Sequence, residues 1–140
     1  MYPKDPHDVK WFSAPDTADE AKALYGRLSL RFHPGRGGDA AVMTAIDAQY
    51  ASCLQAMAGR TFVGPDGNAR TYRYDADRER SVVQTLDHLL TLRMVEVHVR
   101  LVGFHIWVRG RTGRHTGRLK ELGLQWHDER QCWYWMPHDM

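Results

Sequence analysis

The sequence predicts an α+β fold: an antiparallel helical hairpin and a connecting helix, packed with a small C-terminal ββαββ module. Three observations carry this. Apolar residues recur at three- and four-residue steps through the first 92 residues, the period switches to two near Val95, and the chain closes on a tryptophan-rich hairpin. At 140 residues and 43% hydrophobic content, the chain suits one domain, or two small ones sharing a core.

Residues 1–10 are polar with two prolines and are expected to form a mobile tail. Trp11 and Phe12 supply an apolar plug. Thr17 is placed to cap a helix, with Glu20 at the spacing of a capping box. Ala21, Leu24, Tyr25, Leu28 and Phe32 then form one stripe of a helix over roughly 17–32. It stops at His33-Pro34, because proline restricts the residue before it and donates no hydrogen bond. Beyond the glycine-rich loop 35–38, Asp39 caps a second helix of about 40–58, striped by Met43, Ile46, Tyr50, Cys53, Leu54 and Met57. Two such helices on a short loop bury their stripes only by packing antiparallel.

Gly64 to Asn68 signals a turn and Thr71 to Tyr74 an extended segment. Val82, Val83, Leu86, Leu89 and Leu90 mark a connecting helix, about 76–92. Val95, Val97, Val99 and Leu101 alternate with polar residues as in a half-buried strand, and Phe104, Ile106 and Val108 as in a second. Thr112 to Leu122 reads as a helix closed by Gly123, weakened by about 1 kcal/mol at each of Gly113 and Gly117. Residues 124–126 and 132–135 complete a hairpin. The chain thus divides into a tail (1–10), a helical hairpin (11–60), a turn and connecting helix (61–92) and the ββαββ module (93–140).

The stretch WFSAPDTADEAKALYGRLSLRFHPGRGGDAAVMTAIDAQYASCL resembles the J-domain family, with Leu24 to Phe32 as the end of its first long helix and Met43 to Tyr50 in the returning one. HPGRGGD stands where short bacterial and phage versions carry a His-Pro-Asp loop. The rear is similar to the C-terminal part of small bacterial and bacteriophage DnaJ-like proteins, through Leu119 to Gly123 and Trp133-Tyr134. The resemblance implies a protein–protein interaction role, stimulation of a DnaK-type chaperone, carried by His33, Pro34 and Gly35 with the basic residues Arg27, Arg31 and Arg36. This chain departs from the family at Gly35, where the loop aspartate is missing. A carboxylate accepts charge-assisted hydrogen bonds worth about 1.5–3 kcal/mol each, and glycine replaces none of them. Co-chaperone activity would show as ATPase stimulation lost in His33→Gln and gained in Gly35→Asp.

Charge supplies a second reading. The net charge is +2, yet residues 97–120 hold Arg100, Arg109, Arg111, Arg114, Arg118 and Lys120 with no acid. Four tryptophans fall within residues 107–135. Trp133 and Trp135 share one face of a terminal strand and Tyr134 the other, so one set fills the core and the other is open to solvent. Arg109, Arg111 and Arg114 beside Trp107, Trp133 and Trp135 can hold a protein partner or stack on single-stranded nucleic acid. A solvated basic face and rings that merely pack are the plain alternatives.

No metal or cofactor is expected. His98, His105, His115, His127, His138 and Cys132 lack ligand spacing, and no third group activates a His–Cys pair for catalysis. Nor does Gly37-Gly38 read as a nucleotide loop, since no strand precedes it and no Lys-Ser/Thr follows. Cys53 and Cys132 show no CxxC spacing, which points to thiols in a reducing cytoplasm. No apolar run approaches the ~20 residues of a membrane helix. The expected protein is non-catalytic, cytoplasmic and without a membrane partner. It acts as a J-domain-like accessory factor on a DnaK-type chaperone or, alternatively, as a phage-encoded, anti-CRISPR-like inhibitor of a host defence complex, or as a nucleic-acid-binding module.

Overall fold

A computed structural model of the protein describes residues 5–64 and 66–137. Its helices are α1 (Ala18–Phe32), α2 (Ala40–Met57), α3 (Ala76–Thr91) and α4 (Thr116–Glu121). Its strands are β1 (Thr61–Val63), β2 (Ala69–Thr71), β3 (Val97–Val102), β4 (His105–Gly110), β5 (Gln125–His127) and β6 (Cys132–Trp135). The α+β class is as the sequence predicts. Among the described residues, no helix is long and apolar enough to cross a membrane.

Caps set the first two helices. Thr17 Oγ1 accepts from the Glu20 amide at 3.1 Å, and the Glu20 carboxylate returns to the Asp16 amide at 3.0 Å, one residue ahead of the usual reciprocal partner. Asp39 Oδ1 accepts from the amides of Ala41 and Val42 at 2.9 and 3.3 Å. Between them Gly38 is held by sterics: a Cβ there would lie 2.0 Å from the Phe32 carbonyl oxygen. Of the expected mobile tail, residues 1–4 lie outside the described residues and residues 5–10 pack against α2. Pro6–Asp8 form a 3-10 turn, and Gln49 on α2 donates to the carbonyls of His7 and Val9 and accepts from the Trp11 amide at 2.9 Å. Trp11 then meets Phe32 edge-on and Phe12 stacks on Tyr50.

Three boundaries also move. The extended segment expected at Thr71–Tyr74 lies earlier, as β2 of a hairpin with Thr61↔Thr71 in register. Val95 is exposed and outside β3, because Glu96 takes φ +57° and breaks the alternation before Val97. The helix expected over 112–122 starts with a 3-10 turn at Gly113–His115 and becomes α-helical only at Thr116. Gly123 ends it at φ +91°, as a C′ glycine.

The module forms one antiparallel sheet in the order β3-β4-β6-β5. One face carries Val97, Val99, Leu101, Ile106, Val108, Trp133 and Trp135 into a core continuous with the buried stripes of α1, α2 and α3. Helix α1 crosses β3 closely at Gly26, where a Cβ would lie 3.1 Å from Leu101 Cβ. The opposite sheet face is turned away from the helices.

Candidate functional site

The loop after α1 is built to be held rather than offered. His33 is only 7% exposed. Its Nδ1 accepts from the Gly35 amide at 2.9 Å, which leaves the proton on Nε2 to donate to Asp87 Oδ1 at 2.5 Å. Both ring nitrogens are thus engaged, and the histidine ties α1 to α3. This corrects its placement at a partner surface. Gly35 packs against α3 as well: a Cβ there would stand 3.0 Å from both His33 Nδ1 and the Leu90 carbonyl oxygen. Pro34, Arg27, Arg31 and Arg36 are exposed. Of these, Arg36 Nε donates to the Leu30 carbonyl at 3.2 Å and Arg31 lies over the Phe32 ring.

The tail residues separate by face. Trp133 and Trp135, 6% and 7% exposed, belong to the core and are corrected from binding residues to packing ones. The Trp133 indole N–H donates to Thr112 Oγ1 at 3.1 Å, which satisfies it inside. On the outer face the register aligns Arg100, Trp107, Tyr134 and Gln125 in one row across all four strands. Trp107, half-buried, is ringed by His105, His127 and Tyr134 at centroid distances of 6.0, 5.9 and 5.7 Å. The Arg130 guanidinium stands 4.8 Å from its ring centroid. Arg109 extends from the same face beside His98. The strand positions of this face carry no carboxylate. Arg111 and Arg114 lie beyond it, exposed, with Arg111 paired to Glu96 at 2.7 Å.

Sequence reasoning missed two polar nodes, one buried and one half-buried. Lys22, 1% exposed, meets Glu79 Oε2 at 2.5 Å, while Tyr72 donates to Glu79 Oε1 at 2.8 Å and the Phe104 ring lies 4.2 Å from the ammonium. Burial pushes the Lys22 pKa down, and Glu79 pulls it back only in part. The signal was present, since Lys22 and Glu79 each fall in the apolar stripe of their helix. The second node pairs Tyr25 with Asp47 Oδ1 at 2.6 Å. Burial raises the Tyr25 hydroxyl above its usual range, and burial with the nearby Asp87 charge raises the Asp47 carboxyl.

Among the described residues, no group of three or more His, Cys, Asp or Glu side chains is arranged to hold a metal ion; His138 lies outside them. Cys53 and Cys132 are free thiols. No protein-family model, curated protein or solved structure matches the chain.

Proposed function

We propose that this protein is a non-catalytic binding module that takes single-stranded nucleic acid on the outer face of its four-stranded sheet. The observation that carries this is the row Arg100–Trp107–Tyr134–Gln125, with aromatic rings at its centre and arginines around them. Bases stack on aromatic rings whatever their sequence, at about 1–3 kcal/mol each, while arginines track the phosphates. Arg130 covers the Trp107 face in the free protein, and a base takes that place, leaving the guanidinium to a phosphate. With both ring nitrogens of His33 occupied and Lys22 sealed in the core, neither residue offers a reactive atom at a surface.

Fluorescence anisotropy with a labelled single-stranded oligonucleotide tests the reading. Binding is expected to weaken with salt, and Trp107→Ala to lower affinity by about tenfold or more. Arg109→Ala is expected to reduce the slope of log K against log salt by about 0.7 for a lost single-strand phosphate contact. Binding indifferent to Trp107→Ala overturns the assignment to this face.

A second reading keeps the J-like hairpin as a contact for a DnaK-type chaperone or another host protein complex. It is favoured by Arg27 and Arg31, exposed one helical turn apart on α1 beside the loop. Its test is chaperone ATPase stimulation, expected to fall in Arg27→Glu/Arg31→Glu.

A further inference from the structure

The Trp107 ring is covered by the chain's own guanidinium, since Arg130 lies across it at 4.8 Å from the centroid. Arg130 comes from the turn between β5 and β6, and two sets of hydrogen bonds hold that turn. On one side Asp128 Oδ1 accepts from the Trp126 indole N–H at 3.0 Å, and the Asp128 carbonyl accepts from the Gln131 side-chain amide at 2.6 Å and its backbone N–H at 3.3 Å. On the other, His127 Nδ1 accepts from the Arg130 N–H at 3.2 Å. Among the described residues this is the one hydrogen bond of the turn whose acceptor a proton removes near neutral pH. The His127 ring also meets Trp107 and Tyr134 edge-on, at centroid distances of 5.9 and 5.8 Å. Gln131 holds φ +51°, a left-handed conformation costly for a residue with a side chain, so the turn keeps its shape against its own backbone preference.

We propose that His127 is a proton-operated latch on the Trp107 platform. A histidine changes charge between about pH 5 and 8, and a protonated ring has a donor on each nitrogen and no acceptor. Protonation of His127 therefore sets a ring N–H against the Arg130 N–H, donor to donor, and puts a positive charge beside the residue that carries the guanidinium. The turn gives way on that side, Arg130 leaves the ring, and Trp107 opens to a base. The titratable and charged groups on the elements packed about His127 are Cys132 and Tyr134 from β6, His105 and Arg109 from β4, and Asp128, Glu129 and Arg130 in the turn. Of the two carboxylates, Asp128 is engaged by Trp126 and Glu129 is exposed. The new charge also faces incoming phosphates, so acid both uncovers the ring and strengthens the attraction. The latch serves the single-strand site proposed above and rests on that reading.

The test uses the full chain, first without nucleic acid and then with it. In the free protein the Arg130 amide chemical shift is followed from about pH 8 to about pH 5, beside the ring shifts of His98, His105 and His127. The amide is expected to titrate with the midpoint of His127, to do the same in His105→Gln, and to stay flat in His127→Gln. An Arg130 amide that stays still while His127 titrates overturns the proposal. In the second part, anisotropy of a fluorescein-labelled oligothymidylate is measured over the same range at constant salt. Affinity is expected to rise on acidification by about tenfold, the worth of one base stack. Most of that rise is expected to be lost in His127→Gln and kept in His98→Gln. An equal rise in the parent and in His127→Gln overturns the latch while leaving the nucleic-acid reading standing. An Arg130 amide that follows His127 in a protein that binds no oligonucleotide at either pH supports the latch and sinks the nucleic-acid reading instead.

Discussion

At the residue scale, His33 and Gly35 have one explanation between them. The histidine ring closes over the loop by accepting from the Gly35 amide, and the glycine lets that loop lie against the end of α3. A side chain at 35 must push against His33 and the Leu90 carbonyl. Gly35→Asp, the substitution that would restore a His-Pro-Asp loop, is therefore expected to destabilise the fold by about 1–3 kcal/mol. A lower midpoint of urea unfolding at unchanged m checks it; an unchanged midpoint would mean that the loop yields without cost. His33→Gln removes the link to Asp87 and is expected to lower stability as well, so any loss of partner binding in that variant must be read against its folded fraction.

At the element scale, the buried Lys22–Glu79 pair joins α1 to α3 and, through Tyr72 and Phe104, reaches the segment after β2 and the β3–β4 turn. Removing one member of a buried pair leaves the other charge without compensation, at about 3–5 kcal/mol. Lys22→Met is expected to cost that much in denaturant unfolding. The double variant Lys22→Met/Glu79→Gln, which keeps an acceptor for Tyr72, is expected to recover most of it. A double variant as unstable as the single one would show that packing around the lysine stem, rather than the charge, is what α1 and α3 need. The cap of α2 is a smaller matter: Asp39→Ala is expected to cost about 1 kcal/mol, because two first-turn amides lose their acceptor.

At the scale of the whole molecule, one core joins the helices to one face of the sheet and leaves the other face outside it. The pH response belongs to this scale, because the environment of Asp47 is assembled from three helices. Its carboxyl pKa is raised, by burial first and by the Asp87 charge after it. The folded state thus holds that proton more tightly than the unfolded chain, and between the unfolded value of 3.8 and the raised folded value this group makes stability fall as pH rises. Asp47→Asn is expected to remove that contribution, so the stability of the variant relative to the parent increases as pH climbs through that window. Thermal unfolding of both proteins at a series of pH values measures the difference, and parallel curves would place the dominant titration elsewhere.

What the sequence determined by itself is what depends on near neighbours in the chain. Thr17 and Asp39 cap amides within three residues, the proline at 34 stops α1, and alternation from Val97 to Val108 defines two strands whose turn is local. The α+β class followed from those periods alone. The sequence also put Trp133 and Trp135 on one face and Tyr134 on the other, but not which face was inside. Only the arrival of β6 beside β4, with α1 against β3, decided that. The same holds for His33, whose partner Asp87 is 54 residues away, and for Lys22, whose partner Glu79 is 57 away. The physical reason is that a polar side chain in an apolar stripe reads as a pattern error until its partner is in place. Burial and charge are properties of the assembled neighbourhood, and here that neighbourhood is made by segments far apart in the chain.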